Sequence, residues 1–400
     1  MCKSILYIIT IALCIGTLSA CKKVNNSIPE IKVRFLGKIN YKTKIPCEVN
    51  LTQNDNQIKL RGSIKLRGGY SRIYPKHSFS LELKSPYPLC GLPTDDDWIL
   101  NANYIDKTFL RHKLNYDLFR LMSPDNKSAQ CTYFNFKVDT SNRGLYVLMQ
   151  EINGSMLGID KSDSMAMVFK DPPLFYTEKL AYVQDTSNYY QQKYPKKKKS
   201  DKTAYIESFI DFIFNSTDSL FASEIEQWVD LDNIMDWQIL LLLANNGDGV
   251  MKNFYFYKID SETPFRVAPW DYDHSFGREG DYEKNMLARK VYCERSILIK
   301  RLMAVQGLNY VEHLIDRWKS LRQTLISIEH LTEMMDKNCR IIANDLNNNF
   351  EIWPTDSKWY FDANTNQEEV DLIKTYFVLR IKDLDSYFED LKIGGASPNQ

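Results

Sequence analysis

The sequence has no excess of charge of either sign and no cysteine pattern typical of a metal site. Its 51 Lys and Arg residues balance 51 Asp and Glu residues, so no overall field favours nucleic acid as a partner. There is no CxxC pair and no Cys/His cluster, which argues against a structural zinc site. An odd number of cysteines, five, follows Cys21. One or two disulfides can form among them in an oxidising compartment, and the sequence does not choose between pairings.

The N-terminal apolar run, from Ile5 to Ile15, is too short to cross a membrane. It follows Lys3 and ends in small residues before Cys21, which predicts a signal peptide over residues 1–20. The ending "LSAC" resembles a bacterial lipobox, which implies cleavage before Cys21 and attachment of lipid to its thiol. A plain signal peptide that happens to contain Cys21 is the alternative. We therefore expect a bacterial extracytoplasmic protein, anchored to a membrane through lipidated Cys21 and a tether over residues 21–29.

No internal repeat is present, and the chain divides by pattern instead. After period-two alternation over residues 30–90, helical spacing begins, with Asp106 as a candidate helix cap. Residues 203–392 are mostly helical, and residues 393–400 are a tail. The fold prediction is therefore α+β with two lobes, a strand-rich one over residues 30–202 and a helix-rich one after it. The lysine-rich run "KYPKKKKSDK" in the first lobe is interpreted as a solvated loop rather than a binding patch.

A hairpin with polar ends interrupts the helical part. A Leu/Ala-rich helix is predicted to stop at "NNG", a loop carries Asp248, and Asn253 opens the strand "NFYFYKID". The second strand, "FRVAPWDYD", ends in Asp271 and Asp273. The spacing Asp-x4-Asn followed by a later Asp is that of the protein-kinase catalytic loop and its metal-binding acid. Carboxylate and amide oxygens at strand ends are typical ligands of a hard cation such as Mg²⁺.

Five segments resemble, in order, the motif blocks of the CotH family of secreted atypical protein kinases. They are "RGGYSRIYPKHSFSLELK", "WILNANYIDKTFLRHKL", "GLYVLMQEI", "GDGVMKNFYFYK" and "APWDYDHSFG". The resemblance spans roughly residues 61–277 and implies an atypical protein-kinase-like two-lobed fold. It also implies ATP and Mg²⁺ (or Mn²⁺) as cofactors and an unidentified protein as substrate.

The resemblance implies a role for particular residues of this chain. Asp248 is similar to the catalytic-loop acid, and Asn253, Asp271 and Asp273 to the groups near the metal. Lys170 in "MVFKD" is similar to the family lysine that contacts nucleotide phosphates, and Glu151 to an acid that orients either that lysine or the metal. The family's tyrosine before the lysine is Phe169 here, and "RGNS" is replaced by "RGGYS". No G-x-G-x-x-G loop is present, so further phosphate contacts are expected from basic side chains, namely Arg67, Arg72 and Lys76.

Each of these residues also has a structural interpretation. Asp271 and Asp273 can cap a turn after a buried strand, and Lys170 can be a surface lysine. Trp270 can stack on adenine or lie in the core. His274 is interpreted as a hydrogen-bonded structural histidine rather than a ligand, because Mg²⁺ prefers oxygen. The basic residues between Arg61 and Lys76 can equally be the solvent face of alternating strands.

Two functions of different classes follow. The first is a lipid-anchored CotH-like kinase that transfers the γ-phosphoryl group of ATP to Ser or Thr of an extracytoplasmic protein. The second is a non-catalytic surface-binding lipoprotein with the same fold, a pseudokinase. The presence of Lys170, Asp248, Asn253 and Asp271 together favours the kinase, because a binding role does not need all four. Transfer of another part of the nucleotide stays open.

Overall fold

The computed structural model describes residues 27–54, 56–172, 191–278, 291, 293–360 and 362–394. Its first seven strands are β1 Glu30–Phe35, β2 Ile45–Gln53, β3 Asn56–Arg67, β4 Ser78–Tyr87, β5 Asp95–Asn101, β6 Cys131–Val138 and β7 Ser141–Gln150. They form a closed barrel in the order β1-β2-β3-β4-β5-β7-β6, in which β1 and β6 pair in parallel and the other pairs are antiparallel.

Alternate residues of the barrel strands form its core. Ile31 and Val33 of β1, and Val49 and Leu51 of β2, are buried, whereas the residues between them are at least partly exposed. Side chains of a strand point alternately to its two faces, so one face of each strand fills the barrel and the other meets solvent. The period-two pattern predicted for residues 30–90 is thereby confirmed in these strands.

A second, four-stranded sheet carries the hairpin. Its strands are β8 Met167–Lys170, β9 Gln191–Tyr194, β10 Phe254–Lys258 and β11 Arg266–Pro269, in the order β11-β10-β8-β9. Every residue of β10 is buried, and β10 pairs antiparallel with both β8 and β11. The predicted hairpin is confirmed. Its sheet also includes strands from both sides of residue 202, so the strand-rich and helix-rich parts share one sheet.

Most of the described helices follow β9 in sequence. They are α1 Arg111–Met122, α2 Gly154–Leu157, α3 Thr203–Asn215, α4 Asp218–Trp228, α5 Leu231–Ala244, α6 Ile297–Ala304, α7 Tyr310–Gln323, α8 Ile328–Ile352 and α9 Asn366–Gly394. Only α1 and α2 precede β9 in the described part of the chain. The predicted α+β class, with a strand-rich N-terminal part and a helix-rich C-terminal part, is confirmed.

Helix α5 is buried along nearly its whole length and delivers the chain to the hairpin. The Asp230 carboxylate caps it by accepting the N–H of Asn233, and it ends at Asn245 in the left-handed conformation (φ 55°), as predicted. Two side chains of α9 bond to its last carbonyls: the Tyr376 hydroxyl donates to Leu243, and Arg380 donates to Leu242. The end of α5 is therefore fixed by capping and by α9.

Strand β5 departs from the prediction of helical spacing after residue 90. Trp98 and Leu100 face the barrel core, while Ile99 belongs to the core formed with the helices. A strand buried on both faces has no polar alternation, so its pattern does not distinguish it from a helix. The candidate cap Asp106 does bond to the start of α1, because its carboxylate accepts the N–H of Arg111 at 2.9 Å.

Some predictions concern parts outside the described residues or remain untested. Cys21 and the signal peptide lie outside the described residues. No disulfide joins Cys47, Cys90, Cys131, Cys293 and Cys339, which are all within the described part. No helix of the described residues is long and apolar enough to span a membrane.

Candidate active site

The two ends of the hairpin meet in the structure. Asn253 and Asp271 flank it with left-handed backbones (φ 65° and 60°), a conformation that Asn and Asp adopt more readily than most residues. The backbone carbonyl of Asn253 accepts the N–H of Trp270 at 2.9 Å, and its side-chain amide donates to the carbonyl of Asp271 at 3.4 Å. Two predicted metal-binding residues are therefore adjacent.

The Asp271 carboxylate faces a cationic environment. Its Oδ1 lies 3.4 Å from Nε2 of His112, while its backbone N–H donates to the hydroxyl of Tyr116. The side chain is 53% exposed. Desolvation by the surrounding protein would raise its pKa, but the hydrogen bond and charge of His112 and the charge of Arg67 lower it to about 2. Asp271 is thus held as a carboxylate that remains open to a ligand.

Asp273 completes a three-residue cluster of metal-binding groups. One ligand atom from each of His112, Asp271 and Asp273 lies within 4.8 Å of the other two. Burial and the neighbouring Asp271 charge raise the pKa of Asp273, against the opposing effect of His274. A divalent cation bound between these two carboxylates would relieve their repulsion. The predicted ligands Asp271 and Asp273 are brought together, and His112 is a member that sequence reasoning missed.

His112 lies at the start of α1, opposite the loop that carries the two acids. It is buried, with only 2% of its side chain exposed. Burial would lower its pKa, but the hydrogen bond that His112 donates to Asp271 and the charges of Asp273 and Asp271 raise it. No local sequence signal could have found this contact, because 159 residues separate His112 from Asp271.

A buried ionic network fixes the start of α1 to that loop. Arg111, next to His112, binds Asp106 at 2.7 Å and Glu369 at 3.2 Å. Its Nε also donates to the carbonyl of Ser275, and Arg278 of the same loop forms a further ion pair with Glu369. The helix, the loop and the N-terminal turn of α9 are therefore held together by charges that are buried and paired.

Lys170 stands on the strand beside the hairpin. It is the last residue of β8 and pairs in register with Tyr255 of β10. Its Nζ forms a 2.8 Å ion pair with Asp171, whose other carboxylate oxygen accepts the N–H of Phe254 at 3.2 Å. Asp171 thus ties Lys170 to the first residue of β10, directly after Asn253. Asp171 is adjacent in the "FKD" sequence, and sequence reasoning did not single it out.

Two further charged residues lie near Lys170. The pKa of Lys193, on β9, is lowered by desolvation and by the charge of Lys170, with Glu151 and Asp171 opposing. The charges of Lys170, of the predicted residue Glu151 and of Asp171 therefore all act on Lys193. Lys193 is the first residue of the lysine-rich run that the sequence predicted to be a solvated loop. It lies on β9, which pairs with β8, and it is exposed there, as are residues 196–199.

Asp248 occupies a short 3-10 turn, Asp248–Val250, between α5 and β10. Its side chain is 41% exposed and forms a 2.9 Å ion pair with Lys252. Gly249 lets the turn pack closely on α5, because a Cβ there would lie 2.7 Å from a side-chain methyl group of Leu241. The N–H of Gly249 bonds to the side chain of buried Asn246, which fixes the turn. The predicted acid is thus exposed on a well-defined turn at the entry to the hairpin.

The prediction that Lys76 binds phosphate is wrong. Lys76 is 2% exposed, and its Nζ donates to the carbonyl of Leu145 and the side chain of Asn349. Burial and the charge of Arg143 lower its pKa well below the ordinary value. The ammonium group joins the barrel to α8 and cannot reach a nucleotide.

The other residues predicted to contact the nucleotide are Trp270, Arg67 and Arg72. Trp270 is buried, with its ring nearly parallel to that of Tyr116 and the Arg67 guanidinium 5.6 Å from its centre. Its prediction as an adenine platform is wrong, because protein groups already cover the ring. Arg67 lies over the ring of Trp270, the residue before Asp271, and its charge lowers the pKa of Asp271. Arg72 instead covers Tyr41 and bonds to the carbonyl of Gly68.

Two grooves of the surface lie away from this site. One, of about 450 Å³, lies between α6, α7 and the end of α9, and the other, of about 490 Å³, lies between α1, β6 and α8. Neither is lined by a residue predicted to bind nucleotide, metal or substrate. The predicted site residues are therefore not those that line these two grooves.

Comparison with known proteins identifies the family. A family model described as CotH kinase protein matches residues 64–384. This chain belongs to the CotH kinase protein family. It is similar to the inner spore coat protein H of Bacillus subtilis (strain 168), with 26% identity over 277 residues, which is 64% of this chain and 75% of that protein. The resemblance seen in the five sequence segments is thereby confirmed.

A solved structure also matches. It is the crystal structure of the Helicobacter pylori proinflammatory kinase CtkA, with 9% sequence identity and a TM-score of 0.27, over 89% of this chain and 99% of that one.

The side chains of the candidate site fit a divalent cation. The carboxylates of Asp271 and Asp273 are grouped together, and the amide of Asn253 lies beside the backbone of Asp271. Lys170 and Lys193 fit the phosphates of a nucleotide by their charge.

Proposed function

We propose that this CotH family protein transfers the γ-phosphoryl group of ATP to a Ser or Thr hydroxyl of an extracytoplasmic protein, with Mg²⁺ or Mn²⁺. The observation that carries the proposal is the meeting of four predicted residues around one hairpin. Asp248 and Asn253 precede β10, Asp271 follows β11, and Lys170 ends the neighbouring strand. This is the group set that phosphoryl transfer requires, because such transfer is mostly positioning and charge neutralisation.

Each side chain would have a distinct task. Asp271 and Asp273, with the amide of Asn253, would hold the cation, which neutralises charge on the transferred phosphoryl group when it is bound. Lys170 would neutralise the phosphates and is kept in position by Asp171. Lys193, on the strand paired with that of Lys170, would add a second positive charge.

Asp248 would accept the hydrogen bond of the acceptor hydroxyl. Its carboxylate is exposed, as contact with a protein substrate requires, and the turn that carries it is fixed by Gly249 and Asn246. The ion pair with Lys252 is itself exposed, so a hydroxyl can replace it at small cost. Asp248 is thus suited to orient an incoming hydroxyl toward the phosphate.

The test is transfer of label by the full-length protein in detergent. The protein is incubated with γ-labelled ATP, Mg²⁺ or Mn²⁺, and casein or a basic protein as acceptor, and the labelled amino acid is identified. We expect label on Ser or Thr. Label from α-labelled ATP would instead indicate transfer of another part of the nucleotide. Normal binding of metal and nucleotide without transfer to any acceptor would favour the non-catalytic alternative.

We also propose that the protein is held outside the cytoplasm by lipid on Cys21. The support is the sequence "LSAC" after the apolar run that starts at Ile5. The tether would then separate the kinase domain from the membrane by only a short polar segment. Its protein substrate would be one that reaches the same membrane surface.

A further inference from the structure

We propose that His112 is a nitrogen ligand of the divalent cation in this site, so that the site prefers Mn²⁺ to Mg²⁺. The inference rests on the proposed function for the position of the cation, and it adds a ligand and a metal preference. The protein-kinase pattern supplies oxygen ligands only, from acid and amide side chains. His112 belongs to neither, and it comes from a helix rather than from the hairpin.

The first support is the separation of the ligand atoms. His112 Nε2 is 3.4 Å from Asp271 Oδ1, and all three groups of the cluster offer atoms within 4.8 Å of one another. Ligands about 2.1 Å from one ion lie about 3 Å apart when adjacent and about 4.2 Å apart when opposite. The cluster therefore needs only small side-chain movements to surround one cation.

The second support is the burial of the imidazole. The ring is 2% exposed and packs edge-on against Tyr116. Its Nδ1 is buried and has no hydrogen-bond partner among the described residues. An apolar side chain would fill the same space without leaving a polar atom unpaired. The feature that an apolar side chain cannot supply is Nε2, which points at the acids.

The third support is the attachment of helix to loop. Arg111 precedes His112 in α1, and its Nε bonds to the carbonyl of Ser275, two residues beyond Asp273. The same guanidinium bonds to Asp106 and Glu369 in the protein interior. The imidazole and the two carboxylates are thus held at a fixed separation, as a metal site with ligands from two elements requires.

The chemistry of the donors gives the metal preference. Mg²⁺ is bound almost entirely by oxygen and keeps several waters, whereas transition metals accept imidazole readily. Two carboxylates and one imidazole are therefore better suited to Mn²⁺ than to Mg²⁺. His274 is the natural comparison, because its Nε2 lies 4.0 Å from Asp273 Oδ1 and it belongs to the loop itself.

The experiment measures metal binding to the full-length protein without nucleotide or acceptor. Mn²⁺ binding is followed by electron paramagnetic resonance, and Mg²⁺ by its competition with Mn²⁺. We expect the wild type to bind Mn²⁺ at least about tenfold more tightly than Mg²⁺. His112→Gln should reduce Mn²⁺ affinity about tenfold or more and change Mg²⁺ affinity much less, the scale of a lost metal contact. His274→Gln should leave both affinities near the wild-type values.

A spectroscopic measurement decides the point even if His112→Gln fails to fold. Pulsed resonance of bound Mn²⁺ should show coupling to a nitrogen nucleus in the wild type, and ¹⁵N-labelling of histidine should change that coupling. The coupling should persist in labelled His274→Gln, which assigns it to His112. Absence of Mn²⁺ binding or of histidine coupling would overturn the proposal. So would equal loss of Mn²⁺ and Mg²⁺ in His112→Gln, because that result indicates a positioning role.

These outcomes are separate from those of the proposed function. Histidine coupling without any transfer of phosphate would support the ligand and count against the kinase. Transfer of phosphate with no histidine coupling would support the kinase and remove His112 from the metal.

Discussion

Arg111 donates from its Nε to the backbone carbonyl of Ser275, 2.9 Å away. This bond joins the first turn of α1 to the loop that follows the acidic hairpin. The guanidinium is almost fully buried and is completed by two carboxylates, Asp106 and Glu369. The candidate site is therefore assembled by a buried ionic network, and its geometry depends on residues that do not contact a ligand.

Removal of Arg111 should strongly destabilise the fold. Arg111→Met leaves two buried carboxylates short of a partner, which costs about 3–5 kcal/mol of unfolding free energy. The matched control is Arg34→Ala, which removes an exposed ion pair with Glu48 and should cost less than about 1 kcal/mol. Urea denaturation measures both. Similar losses in the two variants would mean that the buried network is not a major source of stability.

Acid should weaken the same network through Glu369. Burial would raise the pKa of Glu369, but the hydrogen bond from Arg278 and the charge of Arg111 lower it from 4.5 to about 2. A lowered folded-state pKa adds stability that is complete above about pH 4.5 and is lost as the pH falls toward 2, worth roughly 3 kcal/mol.

Glu369→Gln tests that pH dependence. The variant should be less stable than the wild type at neutral pH, and the difference should shrink as the pH is lowered through the same window. Unfolding free energies measured at several pH values give the comparison. A difference that does not change with pH would exclude Glu369 as the titrating group.

Asp271 should couple nucleotide binding to the metal. ATP should raise the melting temperature only with Mg²⁺ or Mn²⁺ present, by the equivalent of about 2.7 kcal/mol when ATP is at 100 times its dissociation constant. Asp271→Asn should abolish this increase, because it removes the charge and keeps a residue that tolerates the left-handed backbone. Unfolding of the metal-free variant would instead support the interpretation that Asp271 only caps a turn.

Cys21 should anchor the protein. Cys21→Ser removes the thiol that lipid would modify, so the protein should leave the detergent phase and carry no acyl mass. Phase partition and mass spectrometry of the expressed protein measure this. An unchanged partition would rule out the lipoprotein interpretation.

The parts of the site that the sequence predicted are local ones. The left-handed stop at Asn245, the hairpin and the polar residues at its ends all follow from neighbouring residues, so turn chemistry and strand pattern are sufficient. The resemblance to the CotH family rested on the order of five sequence segments, and it assigned roles to the polar residues. The approach of Asn253 to Asp271 then follows from the pairing of the two strands.

The parts that the sequence missed depend on long-range packing. His112 meets Asp271 across 159 residues, and no pattern within α1 indicates it. The sequence also missed that Lys193 lies on a strand, β9, which pairs with β8 and leaves the Lys193 side chain exposed. The prediction for Lys76 was wrong in the opposite sense, because it expected an exposed side chain. A lysine in a loop such as that before β4 is expected at the surface, and here Lys76 is buried and bonds to acceptors from two distant elements.

Asp248 carries the central claim, and the rate of phosphate transfer by Asp248→Asn tests it most directly. The change keeps the shape of the side chain and removes the charge that would orient the acceptor hydroxyl. Because that role acts chiefly in the transition state, turnover should fall by roughly 10²-fold or more while nucleotide affinity stays near the wild-type value. Transfer of γ-labelled phosphate to the same protein acceptor, with ATP saturating, gives the rate. Undiminished transfer by Asp248→Asn would contradict the assignment of Asp248.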